Sequence, residues 1–264
     1  MASPPSPGGR LPPARASSEV EPSDGATVLC LDPASNLAVV SPHLDDAVFS
    51  LGARIAAASR AGQQVRIVTV LAGDPASPYP SAKWDRSCGF TTLRAAVSAR
   101  RTEDRRACSI VGATPVWLPF NYGDYPRGAD EKTMLAALRD AVAGSALVLV
   151  PGYPLSHADH RWLARLCLSH GFPTGRIGLY AEQPYTWWAS GEPSEIPEPI
   201  ADLLTSPLKW VRARAAPATL LRKSAACLAY SSQARGLGRV PILRTIASDA
   251  KRGGEAIAWL PGQA

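Results

Sequence analysis

The sequence lacks the features that mark membrane-spanning, secreted and nucleotide-binding chains. It has no run of about 18 uninterrupted apolar residues. Residues 1–24 are rich in Pro, Ser, Gly and Ala and contain no apolar segment of the kind that a signal peptide needs. Neither a GxGxxG fingerprint nor a P-loop follows any apolar run. We therefore expect a cytoplasmic protein with no membrane span and no dinucleotide or ATP-phosphate site.

Cysteine and charge set two further limits. Five cysteines are scattered along 264 residues without a C-x-x-C pair, which argues against a disulfide framework and against a zinc knuckle. The net charge of +6 is concentrated in residues 206–264, where ten Lys and Arg stand against two acidic residues. This basic excess can meet phosphate, an acidic partner or only solvent, and solvent is the commonest case. We expect no nucleic-acid partner.

Short apolar runs alternate with helical patterns along most of the chain. Residues 1–26 predict a disordered arm, and residues 27–264 predict one domain. The runs that predict strands are residues 37–40, 65–71, 116–120 and 147–150, with a short edge strand at 27–31. Helical spacing begins at Asp46 and recurs at residues 92–111 and 131–143. This alternation predicts the α/β class, with a mostly parallel sheet.

The first apolar run ends in a histidine and two adjacent carboxylates, His43, Asp45 and Asp46. The cluster lies at a predicted strand-to-helix turn, which is where open α/β sheets bind ligands. His43 and Asp46 are three residues apart and can converge on one point, whereas Asp45 must point elsewhere. The helix dipole also favours aspartates in a first helical turn, but it does not explain the histidine.

A second cluster, His157 and His160, follows the fourth apolar run at the start of another helical pattern. Three of the four histidines thus lie just beyond predicted parallel strands. Adjacent strands would bring His43, Asp46 and His160 within reach of one ion, as a His₂-carboxylate set with open positions. These ligand types suit zinc, although iron or another divalent ion is compatible with them.

Other charged and aromatic residues are expected near the same edge of the sheet. Arg100 and Asp104 fall on the apolar stripe of the helix 92–111, so they pair with each other or reach a site beyond the helix end. Asp124 lies in a polar loop after the third run. The long loop 74–91 carries Trp84 and is more often functional than decorative.

The two clusters together resemble the motifs of the PIG-L/LmbE zinc-dependent de-N-acetylases. The first motif is Ser41-Pro42-His43-Leu44-Asp45-Asp46, and the second is the H-x-x-H of His157 and His160. The resemblance covers most of residues 36–233. It implies a Rossmann-like three-layer sandwich that removes acetyl groups from N-acetylglucosamine-type sugars or their conjugates, including those of natural-product biosynthesis.

The resemblance also implies a role for each site residue. These roles are zinc binding by His43, Asp46 and His160, general base catalysis by Asp45, oxyanion stabilisation by His157, and sugar contacts by Arg100 and Asp124. Zinc lowers the pKa of its bound water toward ~7, and a positioned carboxylate handles the proton. We expect a neighbouring carboxylate to keep the His157 imidazole charged.

Two other functions are compatible with parts of the sequence. A non-catalytic α/β protein could use the basic C-terminal part to hold an anionic ligand, although the presence of all three candidate ligands and Asp45 argues against it. A metal-dependent phosphoesterase is the second alternative, and the lack of a second carboxylate-rich metal cluster counts against it. Leu44, where the family usually has Pro, and Pro154-Leu155-Ser156 argue against a mycothiol-type substrate.

Overall fold

The computed structural model describes residues 35–173, 175–189 and 192–261, and these contain a seven-stranded sheet flanked by helices. The strands are β1 Leu37–Ser41, β2 Val65–Thr69, β3 Thr114–Trp117, β4 Leu147–Tyr153, β5 Arg176–Ala181, β6 Trp210–Ala213 and β7 Glu255–Trp259. The helices are α1 Asp46–Arg60, α2 Lys83–Ser87, α3 Leu93–Val111, α4 Glu131–Val142, α5 Ala158–His170, α6 Tyr185–Trp188, α7 Pro217–Ala229, α8 Ser231–Leu237 and α9 Arg239–Lys251, with a 3₁₀ helix at Glu198–Leu203. The predicted arm 1–26 and edge strand 27–31 lie outside the described residues.

The strand order β3-β2-β1-β4-β5-β7-β6 positions the functional clusters. Strands β1 to β5 run parallel, whereas β7 and β6 extend the sheet antiparallel. From β1 the chain first adds β2 and β3 on one side, and it then returns to add β4 and β5 on the other side. The direction of strand addition therefore reverses between β1 and β4, and this position is the topological switch point of the sheet. The predicted α/β fold with a mostly parallel sheet is confirmed. The antiparallel pair was not predicted.

Two apolar cores on opposite faces of the sheet explain the unbroken apolar run of β1. Ala38 and Val40 belong to the core that includes residues of α4 and α5, while Leu37 and Val39 belong to the core under α1 and α7. A parallel strand covered on both faces has no solvent side, so its sequence does not alternate with polar residues. The carboxyl end of β1 is therefore firmly held.

None of the described helices is long and apolar enough to cross a membrane.

The boundaries of α3 follow the capping signals in its sequence. The Thr92 hydroxyl accepts a hydrogen bond from the Ala95 N–H at 3.2 Å, which caps the start of the helix. Gly112 ends the helix with φ at +78°. A Cβ at Gly112 would lie 2.2 Å from Ser59 Oγ of α1, so glycine also permits the close approach of the two helices.

Glu255, at the start of β7, connects the antiparallel part of the sheet to α1 and α7. Its two buried carboxylate oxygens accept hydrogen bonds from the N–H groups of Ala53 at 2.9 Å and Arg54 at 2.8 Å. The ammonium group of Lys223, fully buried on α7, lies 2.8 Å from the same carboxylate. The position of α1, whose N-terminus carries Asp45 and Asp46, therefore depends on a residue about 200 positions away.

We expect Glu255→Ala to lower the free energy of unfolding by about 3–5 kcal/mol, because it removes a buried carboxylate from three donors. Urea unfolding at constant pH measures the change. The matched control is Glu192→Ala, which removes a 67% exposed carboxylate from Arg212 and should cost about 0–1 kcal/mol. Similar losses in the two variants would contradict this interpretation.

Candidate active site

The turn after β1 holds the first cluster in a fixed arrangement. The Ser41 hydroxyl donates to the His43 carbonyl at 2.7 Å and accepts from the Ala47 N–H at 3.1 Å. The His43 N–H donates to Asp46 Oδ2 at 2.9 Å, so the turn itself directs the Asp46 carboxylate toward His43. Asp45 is the N-cap residue of α1, and Asp46 is the first residue of the helix.

The second cluster enters from the start of α5, which follows β4. His157 is the N-cap residue, and its Nδ1 accepts a hydrogen bond from the Asp159 N–H at 3.2 Å. His160 is fully buried. The Asp159 carboxylate contacts His43, which joins the start of α5 to the first cluster.

Three side-chain atoms from the two clusters converge at the switch point. The distances are 3.2 Å from His43 Nδ1 to Asp46 Oδ2, 3.3 Å from His160 Nε2 to Asp46 Oδ2, and 3.2 Å from His160 Nε2 to His43 Nδ1. Tetrahedral zinc with bonds of ~2.0–2.1 Å separates its ligand atoms by about 3.3 Å. A divalent cation therefore fits between these three atoms.

A wider set of possible ligands consists of His43, His157 and His160, whose ligand atoms all lie within 4.8 Å of one another. We favour the set with Asp46, because its three distances are shorter and nearly equal. The Nδ1 atom of His157 is already occupied by the Asp159 N–H. We therefore interpret His157 as a neighbour of the candidate metal site rather than as a ligand.

Each of the two histidines in the triad has a carboxylate at its other ring nitrogen. His43 Nε2 lies 2.9 Å from Asp159 Oδ2, and His160 Nδ1 is hydrogen-bonded to Glu182. The carboxylates are themselves held, Asp159 by the Gly123 N–H at 3.0 Å and Glu182 by the Leu155 N–H at 3.0 Å. Such carboxylates orient metal-binding imidazoles and fix which ring nitrogen is deprotonated.

Asp159 and Glu182 were not among the residues predicted from the sequence to be functional. The one available signal for Asp159 was its position inside the H-x-x-H motif, which brings it close to both clusters.

Electrostatics at the triad favour positive charge. Burial opposes a charge on His160, yet Asp46 and Glu182 raise its pKa well above the ordinary value. Burial alone would raise the pKa of Asp46, but His160 and His43 hold it well below its usual range. The carboxylates thus stabilise a cation between them, and a divalent metal ion can supply the charge that protons otherwise supply.

Asp45 lies beside the triad and lines the same cavity, but it is not one of the converging groups. Its side chain is nearly buried. Burial, together with the charge of Asp46, raises the pKa of Asp45 to about 7. The structure therefore separates the two adjacent aspartates, one in the triad and one facing the cavity.

The surroundings of His157 favour the neutral imidazole, against the expectation of a charged one. Burial and the neighbouring His43 and His160 lower its pKa to about 4. The expected carboxylate, Asp159, lies 4.0 Å from Nδ1 and is bound to His43 and Arg127. Because Nδ1 accepts a hydrogen bond, the ring proton is on Nε2. His157 therefore offers a neutral N–H donor at the cavity wall.

Arg100 reaches the cavity, but it is paired with an acidic residue. Its Nη2 lies 2.7 Å from Asp85 Oδ1, and its Nη1 donates to the Tyr122 hydroxyl at 2.6 Å. Asp85 is fully buried and also accepts a hydrogen bond from the Tyr125 hydroxyl at 2.7 Å. The guanidinium of Arg100 also contacts Cys88 and is largely buried. Arg100 therefore places a positive charge at the wall of the cavity.

The two remaining predicted carboxylates differ in environment. Asp104 does not pair with Arg100, since it accepts hydrogen bonds from Trp117 Nε1 and the Tyr230 hydroxyl, each at 2.7 Å. Burial raises its pKa, and its role is structural. Asp124 is exposed and lines the cavity, as expected for a residue available to a ligand.

A cavity of about 350 Å³ opens over the triad and is large enough for a small organic ligand. Of the seven predicted site residues, six line it, and the seventh, His160, lies beneath it.

A His₂-carboxylate triad at the switch point of a parallel sheet, with a buried carboxyl group at its side, is the arrangement of a metal-dependent α/β hydrolase. The sequence matches the family PIG-L: GlcNAc-PI de-N-acetylase over residues 38–170, about half of the chain, and the protein belongs to this family.

Solved structures share the fold of this protein. The A40926 pseudoaglycone deacetylase Dbv21 has a TM-score of 0.71 and 25% identity, over 87% of this chain and 97% of that one. The zinc-inhibited form of the teicoplanin deacetylase Orf2 has a TM-score of 0.67 and 22% identity, over 85% and 97% of the two chains. No curated protein sequence matches the chain. The resemblance inferred from the motifs is confirmed, and the protein is a deacetylase-family enzyme.

The same fold also occurs with other chemistry. GalB, the 4-carboxy-2-hydroxymuconate hydratase from Pseudomonas putida, has a TM-score of 0.55 and 21% identity, over 86% of this chain and 95% of that one. A likeness at this level shows the fold alone. The reaction must therefore be argued from the residues of the site.

We expect the purified protein to bind about one divalent ion at His43, Asp46 and His160. Elemental analysis after dialysis measures the occupancy, and calorimetry of the chelated protein measures the affinity. His43→Ala should lose the ion because it removes one of three ligands, whereas His170→Ala, which changes the histidine at the end of α5, should retain it. Full occupancy in His43→Ala would exclude this triad.

Proposed function

We propose that the protein hydrolyses the N-acyl group, in the simplest case acetyl, of an N-acetylglucosamine-type amino sugar or sugar conjugate. The observation that carries the proposal is the convergence of His43, Asp46 and His160 within 3.2–3.3 Å of one another, with Asp45 beside them. Family membership directs the choice of reaction toward amide hydrolysis. The acceptor is a small molecule, because the site lies in a cavity of about 350 Å³.

In this proposal His43, Asp46 and His160 hold a divalent cation, and zinc best suits two imidazoles and a carboxylate. When bound, the cation lowers the pKa of a water molecule and polarises an acyl carbonyl. Asp159 and Glu182 keep the two imidazoles oriented and their inner nitrogens deprotonated. The zinc inhibition of teicoplanin deacetylase concerns that protein, but it is a reason to compare zinc with other divalent ions here.

Asp45 handles the proton in the proposed reaction. It accepts a proton from the attacking water, whose oxygen forms a bond to the acyl carbon. The carbon–nitrogen bond then breaks, and the proton passes from Asp45 to the departing nitrogen. One water is consumed, and one carboxylic acid and one amine are formed. The position of Asp45 at the cavity, next to the triad but outside it, supports this role.

His157 and the residues of the cavity wall complete the proposed site. The Nε2–H of neutral His157 donates to the carbonyl oxygen as it gains negative charge. Arg100, fixed by Asp85, and the exposed carboxylate of Asp124 offer a donor and an acceptor for sugar hydroxyl groups. The ends of the strands thus supply the reacting groups, while α3 and the loop after β3 supply the contacts to the sugar.

The test is release of acetate and free amine from N-acetylglucosaminyl compounds by the metal-loaded protein. We expect Asp45→Asn to keep its metal and to lose at least ~10² in turnover, since a positioned acid-base group contributes 10² to 10⁴. Asp74→Asn, in the loop after β2, is the control and should leave turnover unchanged. Near-normal turnover in Asp45→Asn would remove its proton-transfer role. Phosphate release from sugar phosphates, without amide cleavage, would support the phosphoesterase instead.

We expect His157→Ala to reduce turnover by ~10²–10³ with little change in substrate KM and with metal retained, because a donor to a developing oxyanion acts mainly in the transition state. His157→Asn tests the cap separately, since asparagine can still cap α5 but places no donor where Nε2 lies. Steady-state kinetics and unfolding experiments on both variants measure these effects. A loss confined to stability would indicate that His157 only caps the helix.

A further inference from the structure

The cavity has a side that the proposed reaction does not use. The reacting groups lie together at its base, where β1 and β4 end. Much of the remaining wall consists of apolar and aromatic side chains contributed by different parts of the chain. They include Leu44, Leu71, Trp84, Tyr185, Trp188 and Leu237.

Two indole side chains in this wall are unusually exposed. Trp84 on α2 is 39% exposed and Trp188 on α6 is 46% exposed, whereas most large apolar side chains of the described region are buried. Clustered apolar surface that faces a cavity commonly marks a ligand site rather than a defect of packing.

The Trp84 indole is held in place rather than loosely attached to the surface. Its neighbour Asp85 is fully buried and bonded to Arg100 and Tyr125, which fixes α2 against the wall. A Cβ at Gly236 of α8 would lie 2.6 Å from Trp84 Cη2, so the indole packs directly on the glycine backbone. A rigid aromatic surface loses little conformational entropy when it binds a ligand.

The leucine side chains and the faces of the aromatic rings in this wall suit an apolar group. They remove an aromatic ring or an alkyl chain from water favourably, whereas a hydroxyl placed against them loses hydrogen bonds to water. We propose that the wall around Trp84 and Trp188 is a subsite for an apolar group carried by the substrate. That group is an aromatic substituent on the sugar or a long acyl chain. The identification of the ligand as an acylated amino sugar rests on the proposed function.

The test measures binding of reaction products to the metal-loaded protein by calorimetry. Phenyl β-glucosaminide against methyl β-glucosaminide tests the aromatic substituent, and octanoate against acetate tests the acyl chain. We expect the apolar member of at least one pair to bind about tenfold more tightly. The pair that shows the preference identifies which part of the substrate is apolar.

Variants locate the effect. Trp84→Ala should abolish most of the preference, Trp84→Phe should keep part of it, and Gly236→Ala should weaken it by displacing the indole. The control is Leu228→Ala, which changes an exposed leucine of α7 outside the cavity and should leave the preference intact. Equal binding within both pairs, or a preference that survives in Trp84→Ala, overturns the proposal. Because these products contain no amide to cleave, their binding is measured separately from acetate release, and failure of the apolar subsite is distinguishable from failure of the proposed reaction.

Discussion

The placement of two imidazoles between carboxylates, at the switch between β1 and β4, is the constraint on which the rest of the site depends. His43 lies between Asp46 and Asp159, and His160 lies between Asp46 and Glu182. These contacts join the turn after β1, the start of α5 and the residue after β5. A shift in any of the three segments would separate the converging atoms, so the local geometry of each is tied to the others.

If the cluster had only a structural role, its buried charged groups would be an unfavourable contribution to the free energy of folding. His160 and Glu182 are both fully buried, and burial of charged groups is compensated only when every partner is well placed. An apolar pair of similar volume would usually serve stability as well or better. The hydrogen bonds from the Leu155 and Gly123 amides to the outer carboxylates show that further backbone groups are committed to the same cluster. A cluster of buried charged groups held in this way is typical of functional sites.

The sequence predicted the parts of this design that depend on local pattern. The apolar run of β1, the helix ending at Gly112 and the two histidine clusters all follow from neighbouring residues. The roles of Asp159 and Glu182 did not, because each depends on a contact between distant segments. The charge expected on His157 did not take account of burial and of the neighbouring His43 and His160, which lower its pKa, while the Asp159 carboxylate is bound to His43. Strand β6 is short and half-buried, pairs only with β7 within the described part of the chain, and leaves no strong periodic signal.

In the proposed function, the groups that react and the groups that select the substrate come from different parts of the chain. Helix α2 contributes to substrate selection in two ways. The strand ends supply the triad, and they are rigid because β1 is buried in two cores. The cavity wall comes from short helices and loops, which can change without disturbing the sheet. On α2, Asp85 holds Arg100 and the adjacent Trp84 faces the cavity, so one five-residue helix positions both a polar and an apolar contact. If the proposed roles of Arg100 and Trp84 hold, a change at Asp85 alters recognition of the sugar and of its apolar group together, while leaving the triad in place.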